Sequence, residues 1–243
     1  LSFYEQLIAE KENSLTEKAL IRASFLRYSK EEYQLALEHF AKLEEITSNP
    51  VQVFSAQQGL MRCHLFLKNW IYLETYADKV LESDQLTNSQ KPEAKYCLAM
   101  GQKGLEKYSE ALTNFDYVTK KSDALISVQS KYYRAEIYYI QKNYKKSEKE
   151  IRELAKYKPS NAYWLAKGFI LMTRNLIMEE ELAQAEFTLN SVISNYENYD
   201  DGLLDEANEL MQELQQLKNP EKNITPEDGG TIEVNGEEGG QNE

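Results

Sequence analysis

The stretch Y108-S-E-A-L-T-N-F-D-Y-V118 decides how the rest of the chain is read. Tyr108, Ala111, Phe115 and Val118 are spaced three, four and three apart, which puts them on one face of an α-helix. The second member of that stripe is only an alanine. The same frame recurs along the chain. Tyr33 leads to Ala36, Phe40 and Leu43; Tyr144 leads to Ser147, Ile151 and Leu154; Leu182 leads to Ala185, Leu189 and Val192. Trp70 leads to Leu73, Ala77 and Val80, a looser match. Successive anchors lie 37, 38, 36 and 38 residues apart. A fixed period of this size marks stacked supersecondary units.

Each anchor also has an apolar helical stretch upstream. Nine residues before it stand Ser24, Ala99 and Ala135 in the best-matched units. Each unit is therefore two antiparallel helices, each carrying a small residue that acts as a contact notch. A leucine there would overpack the crossing by about 1–3 kcal/mol. Polar breaks, "TSNP" (47–50), "TNSQKP" (87–92) and "YKPSN" (157–161), separate the units. Shorter turns, "SKEE" (29–32), "LEK" (105–107) and "QKN" (141–143), join the two helices of a unit.

The composition agrees. Glycine (10) and proline (5) are scarce among 243 residues, and Leu, Ala, Glu, Lys and Tyr dominate. No apolar run is long enough to span a membrane. No signal peptide is present, but the sequence opens on Leu1 rather than Met, which leads us to expect a trimmed segment whose export signal could be missing. Formal net charge is −12, and half of it lies from Asn219 onward, where seven acids face Lys222 alone. That balance argues against nucleic acid, which needs a basic stripe. The lysines of "TKKSD" (119–123) and "NYKKSEKE" (143–150) are interleaved with acids.

These residues resemble the tetratricopeptide repeat family. Leu98-Ala99, Tyr108, Ala111 and Phe115 carry the likeness best, followed by Ala135, Tyr138, Tyr144 and Pro159. The resemblance covers roughly residues 15–196. It departs from the family at Met61, Leu73 and Thr173, where small residues are usual, and its period exceeds the usual one of about 34. It implies an all-α fold, an α–α superhelix: a right-handed solenoid of about five helix pairs. Residues 1–14 read as a remnant helix of a preceding repeat, 15–199 as the repeat domain, 200–218 as a C-terminal capping helix and 219–243 as an acidic disordered tail. The segments "AYWLAKGFILMTRN" (162–175) and "QAEFTLNSVISNYEN" (184–198) look like terminal units of long bacterial repeat proteins of the cell envelope; a periplasmic or envelope site is implied, with the cytoplasm left open.

In that family the first helix of each unit lines a concave groove. Carried over, the groove residues are Phe25, Tyr28, Arg62, Phe66, Tyr96, Lys103, Tyr132, Glu136, Tyr139, Arg174 and Met178. Tyr, Arg and Met are the types enriched at binding hot spots. Whether Tyr132 and Tyr139 face a ligand or pack between units is left open. The resemblance implies a non-catalytic scaffold that holds a peptide or protein in the groove; the alternative is a spacer or self-association module. Chaperone-binding members grip a C-terminal carboxylate with Lys and Asn, but the corresponding places hold Ile21, Phe25, Gly59, Glu93 and Cys97, which argues against that ligand.

No catalytic constellation, cofactor motif or metal motif emerges. Cys63 and His64 are adjacent, so on a helix their side chains diverge by about 100°. His39 reads as a solvated surface residue, and "MEEEL" (178–182) as a charged turn. Cys63 and Cys97 read as buried thiols, although their neighbouring helices leave a bridge open. "NIT" (223–225) is a glycosylation sequon, meaningful only in a secreted eukaryotic protein. "TIEV" (231–234) is a short β-prone stretch within the tail.

Overall fold

Stripes of one small and two or three large residues, repeated in register, pack only against another stripe of the same kind. The computed structural model shows that outcome in residues 1–9, 15–122, 125–157, 160–198 and 200–219, which it describes. Pro159, the sequon and the acidic tail lie outside these residues. The described residues form α1 (Ser2–Ala9), α2 (Thr16–Ser29), α3 (Tyr33–Ile46), α4 (Pro50–Phe66), α5 (Trp70–Glu82) and α6 (Lys91–Gly104). The series continues with α7 (Tyr108–Lys121), α8 (Leu125–Ile140), α9 (Tyr144–Ala155), α10 (Ala162–Met178), α11 (Leu182–Asn195) and α12 (Leu203–Lys218). Among them there is no strand. Helices α2 to α11 make five pairs, with α1 packed on α2 at one end and α12 on α11 and α10 at the other.

Each anchor opens the second helix of its pair, and each stripe is the buried face. Ala36, Leu73, Ala111, Ser147 and Ala185 are all 0% exposed, and the residues four further on, Phe40, Ala77, Phe115, Ile151 and Leu189, are buried with them. Burying each of the larger side chains contributes about 1.5–3 kcal/mol. The first-helix positions Ser24, Met61, Ala99, Ala135 and Thr173 are buried against them. The small second-helix residues let the two axes approach; the aromatic or aliphatic residue one turn on fills the space beside them.

The turn inside each pair is built the same way five times. Glu31, Lys68, Glu106, Lys142 and Glu180 have positive φ, between 56° and 62°. Each stands two residues before its anchor and follows the first helix as a left-handed cap. The amides of Glu32, Asn69, Lys107, Asn143 and Glu181 then donate back to the carbonyls of Arg27, His64, Gln102, Tyr138 and Leu176. This is the Schellman closure, made here without glycine. Among the described residues two prolines open first helices. Pro50 and Pro92 sit in the first turn of α4 and α6, where a missing amide costs nothing. Asn49, Asn143 and Asn161 cap α4, α9 and α10 through their side chains.

Packing is strictly between neighbours. Every first helix touches the next first helix: α2 on α4, α4 on α6, α6 on α8, α8 on α10 and α10 on α12. The second helices α3, α5, α7, α9 and α11 have no such backbone contact with one another. A stack that is close on one side and open on the other must curve, with the first helices on its inner wall. Across the outer wall only long side chains reach from pair to pair, such as Lys79 to Glu44 at 3.0 Å and Lys107 to Glu74 at 2.7 Å.

One detail, His39, departs from the sequence reading, and the cysteines follow it. His39 is not a solvated surface residue: it is half-buried, with Nε2 3.2 Å from Glu5 Oε2 of α1. Leu217 is exposed, while Leu203, Leu204, Ala207, Leu210, Met211 and Leu214 of α12 are buried. Cys63 and Cys97 are both buried and free, so no bridge joins α4 to α6. Burial pushes the Cys63 thiol up to about 12 and raises Cys97 as well, which keeps both protonated and inert.

Candidate functional site

The inner wall divides into two chemically different halves. Toward α2 and α4 it is aromatic. The Tyr33 and Phe66 rings stack with centroids 4.4 Å apart, and Tyr28 meets both edge-on. Phe25 meets Phe40 edge-on at 5.4 Å. Burial, partly offset by Arg62, pushes the Tyr28 phenol up to about 12. Arg62 of α4 grips Glu93 of α6 with two bonds of 2.7 Å.

Toward α12 the wall opens into a hollow of about 440 Å³. Lys103 of α6, Tyr132, Glu136, Tyr139 and Ile140 of α8, Lys167, Ile170, Leu171 and Arg174 of α10, and Glu206 of α12 line it. Three successive first helices, α6, α8 and α10, and the end helix α12 contribute, so the hollow is a product of the stack. Its charges are largely paired. Lys103 Nζ lies 2.5 Å from Glu136 Oε2, and Arg174 lies 3.3 Å from Glu206. The Tyr132 hydroxyl donates to Glu136 at 3.4 Å. Burial, with Glu136 and Glu206 nearby, raises the Tyr132 phenol, so it stays a donor. Lys167 differs: it forms no ion pair with a described residue. Its Nζ lies 5.3 Å from the centre of the Tyr132 ring and 5.5 Å from those of Tyr163 and Trp164. A cation among three ring systems is held by their quadrupoles and keeps its charge unneutralised.

Of the eleven groove residues expected from the sequence, five meet in this hollow: Lys103, Tyr132, Glu136, Tyr139 and Arg174. Phe25, Tyr28, Arg62 and Phe66 line the aromatic half, and Met178 is exposed at the end of α10. Tyr96 and Tyr132 are each only 6% exposed. Tyr96 lies against Phe115, and Tyr132 packs between units against Tyr133 and Trp164, whereas Tyr139 is half-buried against Tyr144 and lines the hollow. Sequence reasoning missed Ile140, Lys167, Ile170, Leu171 and Glu206. A signal existed for Lys167. It stands fifteen residues before the anchor Leu182, the register that Glu93 holds before Tyr108. Gly59 and Glu93, two of the places where a chaperone clamp would need donors, are occupied by packing on Phe40 and by the pair with Arg62.

Among the described residues, no group of three His, Cys, Asp or Glu side chains is placed to hold a metal, and no helix is long and apolar enough to cross a membrane.

The architecture has solved counterparts. YrrB, a TPR protein with an unusual peptide-binding site, superposes with a TM-score of 0.58 at 16% identity, over 85% of this chain and 97% of its own. The apo form of RapI gives 0.60 at 15% identity over 91% of each chain. A Rap protein complexed with competence and sporulation factor gives 0.55 at 12% identity, over 91% of this chain and 71% of that one. At such identities the likeness is one of fold. No protein-family model matches the sequence, and no curated protein matches it. The chain is a helical-repeat protein with the tetratricopeptide architecture.

Proposed function

We propose that the chain is a non-catalytic scaffold that holds a peptide segment of a protein partner in the concave hollow between α6 and α12. The observation that carries this reading is the convergence of three first helices and α12 on a hollow of about 440 Å³, with apolar, aromatic and charged groups in one place. Ile140 and Leu171 offer apolar contact, Tyr139 an amphipathic ring, and Lys167 and Arg174 hydrogen-bond donors. YrrB and the Rap complex support peptide binding as a use of this architecture.

The test is capture from native extract by the wild type and by Tyr139→Ala and Arg174→Glu variants, beside a convex control, Phe187→Ser. A partner retained by the wild type and the control, but reduced at least tenfold by the groove variants, supports the reading. Equal capture by all four overturns it. A second reading, self-association, is favoured by Phe187 of α11, which is 78% exposed, and by Ile71 and Tyr72, exposed together on α5. Light scattering at rising concentration separates the two: a dimer that Phe187→Ser abolishes supports self-association.

A further inference from the structure

The stretch "TIEV" (231–234) and the acidic residues around it have no role in the reading so far. We infer that this stretch of the chain docks into the concave hollow of its own solenoid, with Glu233 at Lys167, and so competes with any partner. The inference rests on the hollow being a peptide site.

The hollow contains a charge that the folded body leaves unanswered. Lys103 and Arg174 have carboxylates, whereas Lys167 has three rings and no acid among the described residues. Residues 220–243 carry seven acids and one lysine. Of those acids only Glu233 has an apolar residue on each side, Ile232 and Val234. The others stand beside Pro, Gly, Lys, Asn or another acid. The Lys167 ammonium sits among the Tyr132, Tyr163 and Trp164 rings, and exposed Ile140 lines the same hollow. An acid between two branched aliphatic residues matches a cation set among rings in a hollow with an exposed isoleucine.

Reach decides whether the match is usable. Glu206, near the start of α12, lines the hollow, and Asn219 follows the end of that helix thirteen residues later. At 1.5 Å per residue the exit point lies about 20 Å from the hollow. From Asn219 to Glu233 is fourteen residues. A random coil of fourteen residues has a root-mean-square span of about 5–6 Å times the square root of its length, again about 20 Å. A linker whose mean span equals the gap gives the highest effective concentration, on the order of millimolar. An intrinsic Kd of about 1 mM then suffices for half occupancy. The tail therefore occupies the hollow without a tight site, and a partner of micromolar affinity still displaces it.

Zero-length carbodiimide coupling of the purified full chain, read by mass spectrometry, tests this. Equal mixtures of ¹⁴N and ¹⁵N protein distinguish coupling within a chain from coupling between chains. The expected product joins Lys167 to Glu233 within one chain, and its yield falls several-fold in 0.5 M salt. In the Glu233→Gln variant that product is lost, and amine labelling of Lys167 speeds up about twofold, the change expected from half occupancy. Tail carboxylates that couple to exposed Lys68 and Lys145 as readily as to Lys167, or labelling unchanged by Glu233→Gln, would overturn the inference. So would coupling only between chains. If a partner binds through the groove while Lys167 shows no tail coupling, this inference fails and the proposed function stands. Tail coupling with no captured partner gives the reverse.

Discussion

The pair α4/α5 and the pair α6/α7 solve one packing problem with opposite assignments. In α7 the small residue comes first and the large one follows a turn later, Ala111 then Phe115; in α5 the large one comes first, Leu73 then Ala77. All four are fully buried. The first helices differ to match, with Met61 in α4 where α6 has Ala99. The bulky opener of α5 finds its room in the next pair. The Trp70 ring lies over Gly104, where an added Cβ would be 2.3 Å from the ring, and the Trp70 and Glu74 backbone lies against Gly101. What the repeat conserves is the total volume at the crossing, while the place of each side chain is free to exchange with its neighbours.

That comparison can be broken at several points. The largest effect is expected for Phe115→Ala, which empties the middle of the α6/α7 crossing and should cost about 3–5 kcal/mol by denaturant unfolding. Next is the exchange itself. Leu73→Ala should cost about 2–5 kcal/mol and Ala77→Phe about 1–3 kcal/mol. The double variant, which gives α5 the order found in α7, should cost at least about 1 kcal/mol less than the two singles together. Strict additivity would show that volume is not shared between the two positions. Third, Gly104→Ala should destabilise the wild type by about 1–2 kcal/mol, because the new methyl meets the Trp70 ring. In a Trp70→Leu background the same change should become stabilising, through helix propensity alone. An effect of the same sign in both backgrounds would refute the contact.

A pH experiment sharpens the contrast further, since α4/α5 buries His64 whereas α6/α7 has no histidine. His64 lies parallel to the Tyr72 and Tyr76 rings, at 5.2 and 5.4 Å, and burial holds its pKa below the usual 6.5. The unfolded chain then binds the proton more readily than the folded one. Stability from neutral His64 is present above pH 6.5 and is lost as pH falls toward the lower folded value. Melting temperature should drop between pH 7 and 5, and His64→Phe should flatten that slope. The smallest effect lies in the turn. Lys68→Gly should stabilise by about 0.5 kcal/mol, because glycine adopts positive φ without strain; Lys68→Val should destabilise by about 1 kcal/mol.

The fold was legible because its signal is local and repeated. Four stripes share one frame, and even the displaced order at Trp70 keeps helical spacing, so five pairs follow from period and face alone. The turns at 29–32, 105–107 and 141–143 were placed for the same reason, although a left-handed glutamate or lysine has no composition that announces it. The concave site was only half legible. Its residues come from four helices, and the identity of the helix face says which positions look inward, not how deep each one sits. Tyr96 and Tyr132 share a register, twelve residues before their anchors, and both point inward, yet neighbouring rings cover them. Lys167 went unnoticed because nothing in a single helix shows that Glu136, which lines the same hollow, is already held by Lys103. His39 escaped because its partner Glu5 belongs to α1, whose packing cannot be read from one short apolar face.

Because each helix pair leans on the adjoining pairs and on none further away, tension applied at the two ends has no route around a junction. It runs in series through every junction. The outer wall is spanned by side-chain tethers such as Lys79–Glu44, Tyr76–Glu44 and Lys107–Glu74, without backbone contact between second helices, so it should stretch before the inner one. Added salt softens those tethers first, which makes the compliance of the molecule, more than its melting point, the property most open to adjustment by its surroundings.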